Sequence, residues 1–277
     1  MLLLRYELYK TFRKWRSYIS FLAVAAVVPL VILAVHLQGQ GLLRNATRGL
    51  GADFLILGNI LNGYFVTQFL MNALWVHVPF LITLGAGDQL AGEATGGTFR
   101  LLLTRPASRT AVLMAKYCTT LLYTVALVLF LGVLSVGLGV AVFGTGPLLI
   151  PGRAMVIIPE SEALVRVALA LGLATWGMIT VASLAFLFSS LVENGIGPLV
   201  GTMAVVIVFY IVAAIPVDLF AAVRPYLFTT YMSVWQQAFA AVVPWSEVLR
   251  SVAILGAFSV GFLCTTWYIF LRRDILS

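Results

Sequence analysis

This sequence predicts an all-α, polytopic membrane protein, and three observations carry that prediction. Hydrophobic residues make up 62% of the 277-residue chain and charged residues only 10%, where a soluble domain carries about 25% charged residues. Uncharged runs at least as long as the roughly 20 residues a helix needs to cross a bilayer recur from one end to the other. Those runs are too long for barrel strands, and in lipid only a helix satisfies every backbone polar group within one segment.

The N-terminal segment sets Arg5, Lys10, Arg13, Lys14 and Arg16 against a single Glu7. Leu4, Leu8, Phe12 and Trp15 recur at helical spacing, which predicts an amphipathic helix lying in the membrane interface. The first uncharged run, Ser17–Leu43, is longer than a signal-peptide core and lacks a small-residue cleavage site, so it is expected to stay as a span. Five basic residues ahead of it place the N-terminus in the cytoplasm. The runs Phe54–Gly87, Tyr117–Gly152, Val167–Val192, Asn194–Val217 and Ser251–Leu271 then alternate in direction, and the last returns Arg272 and Arg273 to the cytoplasm.

Pro225–Ser246 is also uncharged and long enough to span. It holds Thr229, Thr230, Ser233, Gln236 and Gln237 between two prolines, with Tyr226, Phe228, Tyr231, Trp235, Phe239 and Trp245 suited to an interface. The expectation is a re-entrant or interfacial helical segment on the outer side before the last span, and so six transmembrane helices. Basic residues agree, with eleven Lys and Arg inside against six outside. No internal repeat or shift in composition divides the chain, and residues 1–277 read as a single domain.

The chain contains no GxxxxGK[ST], HExxH, CxxC or GxSxG pattern, so no catalytic residue, metal site or cofactor is expected in it. His36 and His77 fall at different depths and do not suit a shared haem iron. Cys118 and Cys264 lack metal-ligand spacing and read as buried free thiols. A net charge of +7 follows from basic residues at cytoplasmic membrane edges and calls for no nucleic acid. The second span is unusually polar, with Asn59, Asn62, Gln68, Asn72 and His77. At about 100° per residue, Asn59, Asn62 and His77 fall within one arc, with Gln68 and Asn72 nearly opposite. Such side chains either line a substrate pathway or bond between helices.

The longest polar interruption, Gly87–Lys116, carries Asp88, Glu93, Arg100, Arg105, Arg109 and Lys116 between two uncharged runs. Within it come, in order, Glu93, Gly97-Thr98, the apolar Leu101–Leu103, Pro106-Ala107-Ser108-Arg109 and then Lys116 at the opening of the next span. This order resembles the cytoplasmic loop of ABC-2-type permeases, the membrane subunits of a class of ABC exporters. The basic N-terminus, the outer segment and the terminal Phe270-Leu271-Arg272-Arg273-Asp274-Ile275 are similar to that family as well. The resemblance implies a single permease domain in the plasma membrane, the inner membrane of a bacterium, with both termini cytoplasmic. It implies a second permease, identical or homologous, and two ATPase subunits on separate chains that bind ATP and Mg; the membrane supplies lipid contacts.

It further implies that the loop seats a coupling helix in the ATPase, with Glu93, Arg100, Arg105 and Arg109 offering charge partners to that soluble surface. The expected function is therefore the permease half of an ATP-driven exporter. Two alternatives stand beside it: a non-transporting anchor that transmits force, and an ion-driven secondary transporter. The last is disfavoured because no Asp or Glu lies deep in a span.

Overall fold

The computed structural model describes residues 2–47, 61–95, 108–150 and 155–272. A short helix, α1 (Leu2–Arg13), leads directly into the long α2 (Trp15–Thr47). Next come α3 (Gly63–Leu74), α4 (His77–Ala86) and α5 (Asp88–Thr95), then α6 (Arg109–Phe143). A two-stranded antiparallel hairpin, β1 (Leu148–Ile150) and β2 (Val156–Ile158), pairs Leu149 with Ile157. The remaining helices are α7 (Glu160–Leu191), α8 (Gly197–Ala214), α9 (Asp218–Ala221), α10 (Phe228–Met232) and α11 (Trp245–Arg272), with 3-10 turns at Arg224–Tyr226 and Ser233–Phe239.

Among the described residues, five helices are individually long and apolar enough to cross a membrane: Trp15–Gly39 of α2, and α6, α7, α8 and α11. A bent pair, α3 with the run from His77 to Glu93, raises the number to six if it is one span. The protein is a helical, multi-pass membrane protein. Its centre is α7, whose apolar window is 61% buried, against 17–33% for the other four. The only departure from all-α among the described residues is the hairpin, whose three-residue strands leave little periodicity to read.

Two ends of the bundle are defined by hydrogen bonds. At one, Gly63 N–H donates to Gly144 O at 2.9 Å and the Asn62 amide donates to Pro147 O at 2.7 Å, so α3 starts where α6 finishes. Close approach there is possible because Gly63 and Gly139 face each other: a Cβ on Gly63 would come within 2.4 Å of Val140 N. At the other end α1, α5, the start of α6 and the end of α11 gather, where Trp267 donates to the Thr110 hydroxyl at 3.2 Å.

The break between α3 and α4 has a chemical cause. Pro79 lacks an N–H, and its ring would clash with the carbonyl of Trp75 in a continuous helix. The chain bends by 67° there. The 225–246 segment packs into the space beside the bend: Trp75 and Trp235 rings lie 5.2 Å apart, and Phe228, Trp235 and Phe239 belong to the main hydrophobic core. Those three aromatics are thus core residues and not the interfacial ones expected, while Tyr226 and Trp245 are exposed. Similarly, Cys264 is exposed on α11 and not buried; Cys118 is half-buried.

Candidate functional site

The most polar interior of the molecule lies where α1, α5 and α6 meet. Lys116, in the second turn of α6, is 0% exposed. Its ammonium donates to Glu7 Oε2 at 2.8 Å and to Glu93 Oε1 at 2.9 Å, and both carboxylates are buried. Lys10 also pairs with Glu93. One turn earlier on α5, Asp88 accepts from Lys14 at 2.7 Å and from Arg16 at 3.2 Å. Between the two sets, the Gln89 amide donates to the Thr11 hydroxyl at 3.1 Å.

Local sequence explains why these groups point inward. Glu7, Lys10 and Thr11 recur at three- to four-residue spacing, so they share one stripe of α1, and Lys14 follows at its end. A charged stripe can be buried only if its charges are paired, and α5 and α6 supply the partners. Asp88 at the first position of α5 also suits the positive end of the helix dipole. The first free N–H groups of α5 are met from α7: the Ser189 hydroxyl accepts from Leu90 N at 3.0 Å and Ala91 N at 2.9 Å and donates to Gly87 O. A small apolar cluster of Leu90, Leu113, Tyr117, Phe186 and Phe270 closes over this end.

Both ends of the intervening polar segment are fixed. The Thr95 hydroxyl, at the close of α5, donates to Glu193 O at 2.7 Å in the turn after α7. Ser108 caps α6 by accepting from Ala111 N at 3.2 Å, and Arg109 donates to Leu271 O at 3.4 Å. Gly97, Thr98, Arg100, Arg105 and Pro106 lie outside the described residues. Of the charges expected to face a soluble partner, Glu93 does not: it is turned inward between Lys10 and Lys116. Lys116, read as the opening of a span, is the centre of the network. Neither α1 nor its Glu7 was singled out as part of this site. The available signal was a lone acid in a basic helix and a lone lysine in an apolar one.

A second polar group surrounds the bend. The Asn72 side chain donates to Gln68 O at 3.0 Å, and its Oδ1 accepts from the Gln236 amide at 3.3 Å. His77 Nδ1 lies 3.2 Å from Ala73 O. Asn72, His77 and Gln236 are all exposed, and Gln68 is half-exposed. Asn62 is elsewhere: it is fully buried, caps α3 by accepting from Tyr64 N and Phe65 N at 3.1 Å, and ties α3 to the end of α6. The expected common arc of Asn62 and His77 assumed one continuous helix, whereas the chain bends by 67° between α3 and α4; Asn59 lies outside the described residues. An apolar groove of about 560 Å³ adjoins the bend, lined by Val24, Val27, Leu74, His77, Phe80 and Met203. No group of His, Cys, Asp and Glu among the described residues has the arrangement of a metal site.

Comparison with known proteins adds a family. The model of a family described as "Protein of unknown function (DUF2705)" matches residues 30–276. The chain belongs to that family. The match begins at residue 30, part-way along the first candidate span and after α1 and Glu7, and takes in the later candidate spans. This DUF2705 chain is also 28% identical over 208 residues to the uncharacterized protein YhcI of Bacillus subtilis (strain 168). That similarity takes in 72% of this chain and 64% of YhcI, so it spans just under two thirds of the relative's length.

Proposed function

We propose that this DUF2705 chain is the permease subunit of an ATP-driven exporter of the ABC-2 type, with ATP hydrolysed on a separate chain. The observation that carries the reading is the exposed polar group at the bend. Asn72, His77 and Gln236 lie near the middle of an otherwise apolar bent pair and its packing partner. Amide and imidazole groups at that depth belong against protein or a water-filled path and not against lipid. A second permease copy facing this surface would enclose such a path, and the adjoining apolar groove would give it a lateral opening.

Six crossings, cytoplasmic termini and an inner-membrane location go with this reading. Supporting the count, α3 starts beside the end of α6 while Asp88 of α5 pairs with Lys14 and Arg16 beside the start of α2. Support for the coupling loop comes from its anchored ends, Thr95 and Ser108. A rigid seat on either side of residues 96–107 is what a loop driven by a soluble ATPase requires.

The test is purification of the chain from its native membrane, followed by identification of co-purifying proteins and measurement of ATP hydrolysis. A P-loop ATPase should co-purify, its turnover should depend on this chain, and Arg100→Glu with Arg105→Glu should release it at unchanged permease abundance. Cysteines at Asn72 and Gln236, in a background lacking Cys118 and Cys264, should react with a water-soluble thiol reagent and block substrate movement. Hydrolysis by the lone chain would overturn the division of labour. An ATPase that remains coupled while both cysteines are blocked, with no substrate moved by the wild type, would favour the force-transmitting anchor.

A further inference from the structure

The outer face of α1 carries charge that the ionic network does not use. Lys10, Lys14 and Arg16 are paired with Glu93 and Asp88. Arg5 and Arg13 have no carboxylate among the described residues, and Arg13 donates only to the Tyr9 hydroxyl at 3.2 Å, its guanidinium 5.8 Å from the Tyr9 ring. At about 100° per residue, Leu2, Arg5, Tyr6, Tyr9 and Arg13 fall within one arc of roughly 100°, and all five are exposed. The helix therefore has three sectors. One is charged and faces α5 and α6. A second, holding Leu4, Leu8 and Phe12, is half-buried, with Phe12 against Phe21 and Tyr123 at 6.4 Å. The third is basic and aromatic and faces away.

We infer that this third sector is a binding site for anionic phospholipid headgroups, formed by Arg5 and Arg13 on either side of Tyr9. Position argues for lipid. Arg13 is two residues ahead of Trp15, where the first candidate span begins, so the stripe lies at headgroup depth. Tyr and Trp beside unpaired Arg is the composition of a membrane interface. A guanidinium presents a planar fork that matches phosphate oxygens, and the Tyr9 hydroxyl keeps one fork oriented. Of the apolar face expected in the interface, Leu4, Leu8 and Phe12 are half-buried, while Trp15 is exposed. This inference rests on membrane insertion alone and not on the ATPase reading.

The full chain is reconstituted in bilayers of equal phosphatidylglycerol and phosphatidylcholine, released gently, and its bound lipids counted by native mass spectrometry. Wild type should retain phosphatidylglycerol over phosphatidylcholine. With each basic residue near an anionic surface contributing about a kcal/mol, Arg5→Gln with Arg13→Gln should lower phosphatidylglycerol affinity about 30-fold. Arg5→Lys with Arg13→Lys should keep most of it. If the glutamine variant does not fold, salt gives an independent reading on wild type: raising it from 0.1 to 1 M shortens the screening length from about 10 to 3 Å and should strip the lipid. Equal retention of both lipids by wild type, no loss in the glutamine variant, or retention unaffected by salt would each overturn the site. So would a glutamine variant that keeps its lipid and loses an acidic soluble protein, which would make the stripe a protein-docking face.

Discussion

Replacing Lys116 by Met tests the buried network most directly, because the swap keeps an unbranched apolar stem out to the ε position and removes the ammonium. In the native arrangement the ammonium donates to Glu7 Oε2, and Glu7 Oε1 has no hydrogen-bond partner among the described residues. Without Lys116 the Glu7 carboxylate is left buried and unpaired, while Glu93 keeps Lys10. Breaking a buried ion pair by removing one partner costs about 3–5 kcal/mol, and Glu7 is the group that makes the upper half of that range apply. An exposed pair behaves differently: Glu162 is 55% exposed on its side chain where it meets Arg166, so Glu162→Gln should change stability by less than about 1 kcal/mol.

The assay is the temperature at which the detergent-solubilised chain loses its monodisperse elution peak on heating. At about 2–4 °C per kcal/mol, Lys116→Met should lower it by roughly 8–20 °C and Glu162→Gln by no more than a few degrees. The decisive measurement is the double variant. If Glu7 is the stranded charge, Glu7→Gln added to Lys116→Met should recover part of the loss, with a coupling of about 1–3 kcal/mol for groups in contact. A Lys116→Met protein as stable as wild type, or a double variant whose losses simply add, would refute the network as a source of stability.

Three further substitutions separate packing from exposure in the same heating assay. Trp235→Ala should cost about 3–5 kcal/mol, because a fully buried indole is lost beside the bend, whereas Trp245→Ala, at an exposed ring, should be near neutral. Gly63→Ala drives a Cβ into the backbone of α6 at Gly139 and Val140 and should cost at least about 1–3 kcal/mol; Gly137→Ala, with nothing within 4 Å, is its control. Gly144 ends α6 at φ 72° and ψ −172°, a region that essentially only glycine occupies, so Gly144→Ala should cost about 1–3 kcal/mol in strain.

The spans were legible because membrane insertion is written in composition, and an uncharged run of over 20 residues has few other fates. The start of α6 at Arg109, seven residues before the expected opening at Lys116, was also open to a local reading, since Ser108 before a helical run is a capping signal. Pro79 was a local signal too, and it lies just beyond the bend between α3 and α4. What the sequence could not supply was pairing across distance. Glu93 and Lys116 are separated by residues 96–107, and Glu7 and Lys116 by 109 positions. Each looks alone like an interfacial charge, and nothing in its neighbourhood says that it is buried. The burial of Trp235 has the same origin: the space it fills exists only because α3 and α4 bend.

This geometry changes what a charge reversal in the polar segment can mean. Glu93→Lys would place three cations, Lys10, Lys116 and the new ammonium, where one carboxylate now bridges two. Such a variant should fold poorly whatever the chain does, so lost transport would not distinguish a missing partner from a missing fold. Arg100 and Arg105 fall in sequence between Thr95 and Ser108, and on the proposed reading their reversal is the test of docking once abundance is matched. Thr95 is bonded to the turn after α7, Arg109 to the end of α11, and Lys116 and Glu93 to α1. On the proposed ATPase coupling, a displacement reaching Thr95 and Arg109 would be passed to α1, α7 and α11 together, and cutting the Lys116 link would weaken that transfer.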